Sequence, residues 1–514
     1  MSSGKIAQNT LALFTRQVVM ALISLYTVRV VISELGINDF GLMNVLTNVV
    51  GLSTFIVGAL GMITQRYISF AIGSGKDGER KRYHDACLVL HVLCAIITVI
   101  ALQTAGVWFV SNQLVVPPER LDAAQILFQF LMLSFIANLF FGFHSWLLIS
   151  HEDIHVFAIF AVLGAALRLT AAVLIDVVGG DALVAYGVLL ATASLLVMSA
   201  QALYCIRKYH ECRLRHVQID LVTIREMLGF VGWTLFGQFT TVCRAQALTI
   251  LINQAYNPAT VAARALSFTI YTQVVTFSQN FSSALNPPIV KTYAAGETEQ
   301  TYKLIFFGSK IAFFLSWMVT LPMISLAPNI LTLWVGTYPE ETVLFARLAL
   351  VEAAIISISF PLMAAVRAVG KVRTYELLLG GLQLMVLLLS WLLTRNGFPA
   401  YAIYLVAIAI NLVMFVARLG LTSKLTGLSW ARYLLVVALP VTLVVVVSSG
   451  LCWGLLQVVS DSGTLRLSLP SLFASLGILL IPALAVLALG LSRDERRSLH
   501  GMIRKRLGRS GARS

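Results

Sequence analysis

Runs of about 20 apolar residues recur along almost the whole chain, and each is long enough for a helix to cross the hydrocarbon core of a bilayer. The composition agrees, since 58% of the residues are hydrophobic and only 12% are charged. We therefore predict an all-α polytopic membrane protein, because a helix satisfies its own backbone hydrogen bonds where no water is present. The fourteen predicted spans are residues 9–33, 40–65, 84–109, 123–150, 154–178, 182–206, 227–253, 258–285, 304–327, 343–369, 373–394, 399–421, 431–456 and 470–491.

The distribution of positive charge predicts how the chain is oriented. Of the 37 Lys and Arg residues, 26, Arg418 among them, are assigned to segments on the side of both termini and 3 to the opposite side. Cytoplasmic segments carry the excess of Lys and Arg, so we expect both termini in the cytoplasm and the protein in the cytoplasmic (inner) membrane. The net charge of +14 then reflects topology and contact of the tail with anionic lipids, and we expect no nucleic-acid partner.

Several kinds of chemistry find no support in the sequence. The six cysteines show no CxxC spacing, and the sequence has no metal-ligand pattern, so we expect no metal and no other cofactor. There is no GxxxxGK[ST] phosphate loop, and the connections between spans are short. If the protein transports a substrate, we expect a gradient to supply the energy.

A weak internal repeat divides the chain. At an offset of 221 residues, segment 74–89 falls on 295–310, and spans one and two fall on spans seven and eight. Two such units in the same orientation imply a pseudo-two-fold axis along the membrane normal. We predict an N-lobe at 1–206, a cytoplasmic linker at 207–226, a C-lobe at 227–421, two additional spans at 422–491 and a basic cytoplasmic tail at 492–514.

Arginine residues lie deep inside several predicted spans, where each needs a partner, water or a path to the interface. Arg168 lies fourteen residues into span five, a depth of about 21 Å at the helical rise. Arg244 and Glu352 are each about 14 Å from the outer end of a span, whereas Arg29 is close enough to a span end to reach the interface. Because the deep basic groups outnumber the one deep acid, a hydrated cavity among them would suit an anion, whose oxygens match the guanidinium fork.

Polar side chains accompany these arginines at helical spacing on spans one, two, seven and eight. The predicted cavity lining is Arg16, Arg29, Asn44, Asn48, Arg168, Gln238, Arg244, Arg264 and Tyr271. One face of span eight carries the row Arg264, Ser267, Tyr271, Ser278 and Ser282. For the hydroxyls and glycines, close helix packing is an alternative explanation. Tyr271 is a candidate for stacking on a sugar ring, or it is an ordinary packing residue. Glu352 is a candidate for coupling to H⁺ or Na⁺, or it pairs with Arg347 or another arginine.

Prolines predict where two of the helices begin, bend and end. Asn257 followed by Pro258 is a capping residue and a first-turn proline, which should start span eight. The sequence "LNPPIV" at 285–290 should end the same span. Pro361 should interrupt span ten, because proline removes a backbone donor.

The opening block "NTLALFTRQVVMALISLYTVRVVISELGINDFGLMNVLTNVVGLSTFIVGALGMITQRYIS" resembles the first two spans of polysaccharide flippases, a branch of the multidrug, oligosaccharidyl-lipid and polysaccharide exporter superfamily. The resemblance lies in a leading Asn, a span ending in "ELGINDFGLMN" and a glycine-rich second span closing with Arg. The segment "FPLMAAVRAVGKVRTYELL" (360–378) is similar to the helix-loop-helix that follows span ten in the family.

The resemblance implies two six-helix lobes around a central cleft, alternating access, and translocation of an undecaprenyl-pyrophosphate-linked oligosaccharide to the outer leaflet. It also implies cleft arginines on spans one, seven or eight that meet the pyrophosphate. The positions here that correspond to them are Arg16 or Arg29, Arg244 and Arg264.

The resulting hypothesis is a gradient-driven or exchange flippase, not an enzyme, with a lipid-linked anionic glycan, membrane lipids and the polysaccharide polymerase machinery as partners. A multidrug exporter of the same fold is an alternative, but it would want a deep carboxylate in the N-lobe, and Asp176 lies near a span end. A polytopic glycan polymerase or glycosyltransferase is a second alternative. Its candidate catalytic cluster, unless it is only a solvated loop, is His144, His151, Glu152 and Asp153.

Overall fold

The computed structural model describes residues 3–74, 77–151, 153–212, 220–369, 372–460, 469–492 and 495. Within these ranges the chain forms helices and their connections, without a strand. The helices are α1 Ser3–Gly51, α2 Thr54–Ser74, α3 Asp77–Ala101, α4 Val107–Asn112, α5 Leu121–Phe141, α6 Phe143–Ser150, α7 Ile154–Val173, α8 Ile175–Val178, α9 Ala182–Lys208, α10 Leu221–Ala255, α11 Pro258–Ala294, α12 Thr298–Ser325, α13 Ala327–Val335, α14 Thr342–Ser357, α15 Phe360–Val369, α16 Val372–Arg395, α17 Ala402–Thr426, α18 Trp430–Tyr433, α19 Leu439–Ser460 and α20 Leu469–Ala485. The predicted all-α polytopic fold is confirmed.

The number of membrane crossings is partly supported. Among the described residues, eleven helices are long and apolar enough to cross a membrane. The remaining predicted spans coincide with α2, α11 and α20. The count of fourteen therefore stays a prediction.

The long helix α1 is two helices joined at a sharp turn. Gly36 has φ 75° and ψ 169°, a conformation that glycine adopts without a steric penalty. This turn lies between predicted spans one and two, so the first of them ends within "ELGIND". The second part of α1 leads through a short turn at residues 52–53 into α2.

Two of the proline predictions are confirmed. Helix α11 begins at Pro258, and the side-chain oxygen of Asn257 accepts a hydrogen bond from the Thr260 backbone N–H at 2.9 Å. Span ten is broken, because α14 ends at Ser357 and α15 begins at Phe360.

The predicted end of span eight at 285–290 is wrong. Helix α11 continues through both prolines to Ala294. Its continuation is explained by packing, since Ile289 is fully buried in the hydrophobic core with Ile305 and Leu362. Burial of Ile289 helps to offset the backbone hydrogen bonds that Pro287 and Pro288 remove.

The chain forms two compact units. Unit 1 consists of Met1–Leu266, Thr332–Thr342 and Glu376–Ile403, and unit 2 of Ser267–Leu331, Val343–Tyr375 and Tyr404–Ser514. Helix α11 thus begins in unit 1 and continues in unit 2. The lobes predicted from the internal repeat concern the order of spans, which compactness does not test, so that division stays a prediction.

Unit 1 contains an ion cluster that ties two of its helices to the loop before α5. Arg120 bonds Asp39 in α1, with 3.1 Å from Nε to the carboxylate, and also pairs with Asp181. Asp181 caps α9 by accepting from the Leu183 N–H at 3.0 Å. Burial acts to raise the pKa of Asp181, but the hydrogen bonds from Arg120 and from α9 outweigh it and lower this pKa.

Unit 2 is organised around α12, against which α15, α19 and α20 pack. Trp317 of α12 donates from its indole N–H to the hydroxyl of Ser448 in α19 at 3.0 Å. Lys310, 3% exposed, bonds both carboxylate oxygens of Glu495 at 2.7 and 2.8 Å. The last two predicted spans are therefore part of the core of this unit.

Substitution of Gly41 should destabilise unit 1. An added Cβ at Gly41 would lie 2.1 Å from the carbonyl oxygen of Pro258, so the backbones of α1 and α11 would have to separate. We expect Gly41→Ala to lower the free energy of unfolding by about 1–3 kcal/mol, the usual cost of overpacking, measured as a lower melting temperature of the purified protein in detergent.

The matched control is Gly381→Ala in α16, where an added Cβ meets nothing within 4 Å. Alanine favours a helix over glycine by up to about 1 kcal/mol, so this variant should melt at the wild-type temperature or above it. Equal melting temperatures for both variants would show that the close approach at Gly41 is not required.

Candidate functional site

In unit 1 the polar faces of predicted spans two and seven lie against each other. A Cβ at Gly58 would be 3.7 Å from the side chain of Gln238, and one at Gly51 would be 3.1 Å from the side chain of Gln246. Between these two contacts, the rings of Phe55 and Phe239 meet edge to face at 5.3 Å. The glycines thus leave room for two amide side chains of α10, of which the sequence pattern had singled out only Gln238.

Arg264 is a predicted site arginine for which the structure shows specific side-chain contacts. Its side chain is 5% exposed. Its Nε donates to the Thr249 hydroxyl at 3.0 Å, and its Nη2 donates to the Ala245 carbonyl at 3.3 Å. Because Ala245 follows Arg244 in α10, the Arg264 guanidinium is held next to the backbone that carries Arg244. The structure therefore places Arg264 against the turn of α10 that carries Arg244, and a shared site for the two side chains stays a prediction.

The two asparagines of the predicted lining are bonded within their own helix. Asn44 donates its side-chain N–H to the Phe40 carbonyl at 2.8 Å, and Asn48 donates to the Asn44 carbonyl at 2.6 Å. Both side chains are half-buried. One side-chain N–H of each asparagine is thus bonded to the backbone of α1. Binding of a ligand by the remaining amide groups stays a prediction.

Three other predicted arginines are not placed beside Arg264 by any described contact. Arg29 is exposed and donates to the Leu333 carbonyl at 2.9 Å, while the indole N–H of Trp334 donates to the Leu25 carbonyl at 2.6 Å. Arg168 is exposed on α7 and interacts electrostatically with Tyr186 of α9. The side chain of Arg16 lies outside the described residues.

The hydroxyl row of α11 is part of the packing of unit 2. Ser267 is fully buried and shares a hydrogen bond of 2.7 Å with the Tyr404 hydroxyl. Ser282 donates to the Ser278 carbonyl of its own helix at 3.0 Å. Tyr271 is half-buried and stacks on Phe268 with ring centroids 5.8 Å apart. For Ser267 and Ser282, helix packing is thus the better explanation, since hydroxyl stripes commonly hold helices together in membrane proteins. The Ser278 hydroxyl is buried without a partner among the described residues.

Glu352 is buried in unit 2, where it is 6% exposed. It accepts a hydrogen bond from the Asn411 side-chain N–H at 3.0 Å. The predicted partner Arg347 is exposed and donates from Nε to the Ile324 carbonyl at 3.1 Å. Asn411, which the sequence analysis missed, lies on α17 and is recognisable only once α14 and α17 are known to be neighbours.

The histidines considered as a catalytic cluster belong to contacts within unit 1. His151 stacks on Tyr209 and bonds Glu211 at 2.7 Å, and Lys208 bonds Asp153 at 2.7 Å. Burial acts to raise the pKa of Glu211, but the hydrogen bonds from His151 and from the backbone, together with the positive charges of His151 and Arg80, outweigh it and lower the pKa to about 2. His144 is buried, and Glu152 lies outside the described residues. In the described part of the chain, no three His, Cys, Asp or Glu side chains form a group that would hold a metal.

Solved transporter structures share this fold. A multidrug resistance MATE family transporter of the MOP superfamily, in its inward-facing conformation, gives a TM-score of 0.65 at 14% identity over 80% of this chain and 96% of that chain. An outward-facing structure of a multidrug resistance MATE family transporter gives a TM-score of 0.61 at 15% identity, over 82% of this chain and 96% of that chain. A MOP superfamily transporter from Pyrococcus furiosus gives 0.59 at 15% identity over 82% and 96%. Identities this low establish the fold alone.

No curated protein matches the chain significantly. The family model described as "Polysaccharide biosynthesis protein" matches residues 6–327, which is more than half of the sequence. The predicted resemblance to polysaccharide flippases of the MOP superfamily is thereby confirmed at the level of family and fold. The chain belongs to the polysaccharide biosynthesis protein family.

Proposed function

We propose that this protein is a flippase that translocates an undecaprenyl-pyrophosphate-linked oligosaccharide across the cytoplasmic membrane for the biosynthesis of a surface polysaccharide. The family supports a role in polysaccharide synthesis, and the fold supports membrane transport. The observation that carries the proposal is the buried Arg264 guanidinium, held by Thr249 and Ala245 beside Arg244.

This arrangement suits a pyrophosphate. Arginine remains charged inside the membrane and presents donors in a planar fork that matches phosphate oxygens. The bonds to Thr249 and Ala245 use Nε and Nη2 and fix the orientation of the guanidinium, so little side-chain entropy is lost when an anion binds. Gln238 and Gln246 of α10 would supply amide donors and acceptors for the sugar hydroxyls, while the polyprenyl chain remains in the lipid.

The proposed mechanism is alternating access between the two repeat-related halves, residues 1–206 and 227–421, with both termini in the cytoplasm. A central anion site would face each side of the membrane in turn. After release outside, the polysaccharide polymerase machinery would use the cargo. We also propose that the basic tail contacts membrane lipids.

A multidrug exporter is the second candidate, because multidrug resistance transporters share the fold. The buried acids of unit 1, among the side chains described, are Asp85 and Glu211, and each already bonds a basic group, Lys81 or His151, at 2.7 Å. The Pyrococcus furiosus transporter is described as having a binding pocket of reverse polarity that suggests a different function. Pocket charge is therefore the property that separates these candidates, and the buried Arg264 favours an anionic cargo.

An enzyme that acts on the same lipid-linked glycans is less well supported. His151 and Asp153 are committed to Glu211, Lys208 and Tyr209, contacts that stabilise the inner face. We therefore propose transport without catalysis.

The central test is a substitution series at Arg168, Arg244 and Arg264, to Ala and to Lys. We expect each Ala variant to lower surface polysaccharide about tenfold or more, since a hydrogen bond to a charged group contributes about 1.5–3 kcal/mol. Lys should restore part of the export at two or more sites, because it keeps the charge but loses the fork. Surface polysaccharide per cell is measured against protein level by immunoblotting.

The control is Arg395→Ala, at an arginine that stacks on Trp391 at 4.7 Å near the predicted outer end of α16. It should export normally. Full export by all three Ala variants at the binding-site positions would exclude the proposed anion site, whereas a loss of protein level would mean only that the arginine is needed for folding.

The role of Glu352 is tested by Glu352→Gln and Glu352→Leu. Because Gln keeps an oxygen that accepts from Asn411 but cannot bind a coupling ion as a carboxylate does, we expect near-normal export if Glu352 is structural. Leu should lower the amount of folded protein, since the buried Asn411 N–H then loses its partner. A stable Glu352→Gln protein that exports nothing would instead assign H⁺ or Na⁺ coupling to this carboxylate.

A further inference from the structure

Unit 2 contains a buried arginine that the charge distribution had assigned to a cytoplasmic segment. Arg418 lies within α17, and its side chain is 3% exposed. Two of its guanidinium nitrogens, Nε and Nη1, are buried without a hydrogen-bond partner among the described residues. A buried charge without a partner is strongly unfavourable, so this arginine needs an acceptor that the described chain does not supply.

Other buried polar groups without partners accompany it. Thr422, one turn farther along α17, is fully buried, and its hydroxyl has no partner in the described part of the chain. The same holds for the hydroxyls of Ser309 in α12 and Tyr433 in α18, which face each other without a hydrogen bond of normal geometry. We refer to Arg418, Thr422, Ser309 and Tyr433 as the Arg418 cluster.

Ring contacts bring these residues to the same end of unit 2. Phe415, one turn before Arg418, packs on the Tyr433 ring at 6.1 Å, and Tyr433 packs on Phe306 of α12 at 5.9 Å. The Tyr302 hydroxyl donates to the carbonyl of Thr426, the last residue of α17, at 2.6 Å. The first turns of α12 therefore lie along the last turns of α17, which carry Arg418 and Thr422.

Two described acids of this region, Glu299 and Glu495, are already paired with cations. Glu299 bonds Arg432 through both oxygens at 2.7 and 2.9 Å. Glu495 bonds Lys310, the residue after Ser309, through both oxygens at 2.7 and 2.8 Å. Each carboxylate is thus occupied by another cation. Neither of these carboxylates is therefore available to Arg418, which leaves its positive charge for an anion that the described residues do not supply.

We propose that the Arg418 cluster binds the phosphate group of an anionic membrane lipid. The end of the guanidinium that carries Nη1 donates to the phosphate in a charge-assisted hydrogen bond, and the hydroxyls donate to the remaining oxygens. Arg418 is eight residues from the end of α17, or about 12 Å along the helix, at the end that the charge bias places at the cytoplasmic surface. The predicted span ends at residue 421, about one turn after Arg418, so a lipid phosphate of the inner leaflet would approach the cluster from this end.

This inference does not depend on the cargo or on the Arg264 site, because its test measures only the binding of a lipid to residues of unit 2. The experiment measures the melting temperature of the purified protein in a neutral detergent during titration with phosphatidylglycerol, phosphatidylcholine or inorganic phosphate. We expect phosphatidylglycerol to raise the melting temperature of the wild type. In Arg418→Gln, the apparent affinity for this lipid should fall about tenfold or more, as the loss of a charge-assisted contact predicts.

The matched control is Lys424→Gln, which removes one positive charge from an exposed position on the same end of α17. It should respond to phosphatidylglycerol as the wild type does. If inorganic phosphate protects the wild type as well as the lipid does, and Arg418→Gln abolishes the effect, the oxyanion site stands and its ligand is soluble phosphate. Equal responses of the wild type and Arg418→Gln would overturn the proposal.

A second measurement decides the matter if Arg418→Gln does not fold. Native mass spectrometry of the wild type counts the phosphatidylglycerol molecules retained after delipidation and titration, and Arg418→Lys, which keeps the charge but has no fork, should retain fewer. A wild-type protein that retains neither lipid nor phosphate and shows no thermal shift would refute the proposal without any variant.

Discussion

Hydrocarbon offers no hydrogen bonds, and this constraint explains most of what the chain does. Backbone groups must be satisfied within the structure, which accounts for the almost continuous helices. The same constraint applies to side chains, and Arg264 meets it with a hydroxyl and a carbonyl of α10. The arginine is fixed in position by the partners that make its burial tolerable.

The constraint also separates polar groups that pack from polar groups that are available to a ligand. Two serines of α11, Ser267 and Ser282, are satisfied by Tyr404 or by their own helix, whereas the buried Ser278 hydroxyl has no partner among the described residues. Arg418 has no such partner among the described residues. Burial alone therefore does not indicate function in this protein. The useful distinction is whether a buried donor has found its acceptor.

The sequence predicted the features that depend on local chemistry. Apolar runs located the helices, the Asn257-Pro258 pair located the start of α11, and Pro361 located the break in span ten, since capping and a missing N–H act within a few residues. The predicted end at 285–290 was wrong because Ile289 is held in the core by residues distant in sequence.

The residue types of the candidate site and their depth in the helices were predictable from the sequence, but their contacts with each other were not. Counting residues along a helix gives the depth of Arg264, but it does not identify Thr249 and Ala245 as its partners, since that requires the register between α10 and α11. The same limit applies to Gln246, which becomes visible only through its contact with Gly51. The burial of Arg418 was not predictable for a related reason, because the charge rule assigns a side of the membrane and says nothing about which way a helical side chain faces.

The ion pair between Lys310 and Glu495 makes the carboxyl end of the chain a structural element as well as a basic extension. Ser492 and Glu495 form reciprocal contacts that start a helical turn, at 2.8 Å from the Ser492 N–H to the carboxylate and 3.3 Å from the Glu495 N–H to the hydroxyl. Proteolytic trimming that stops after residue 495 would leave this closure intact. Removal of Glu495 as well would leave the buried ammonium group of Lys310, in the middle of α12, without its carboxylate partner. The stability of unit 2 in a cell therefore depends on a carboxylate that lies beyond α20.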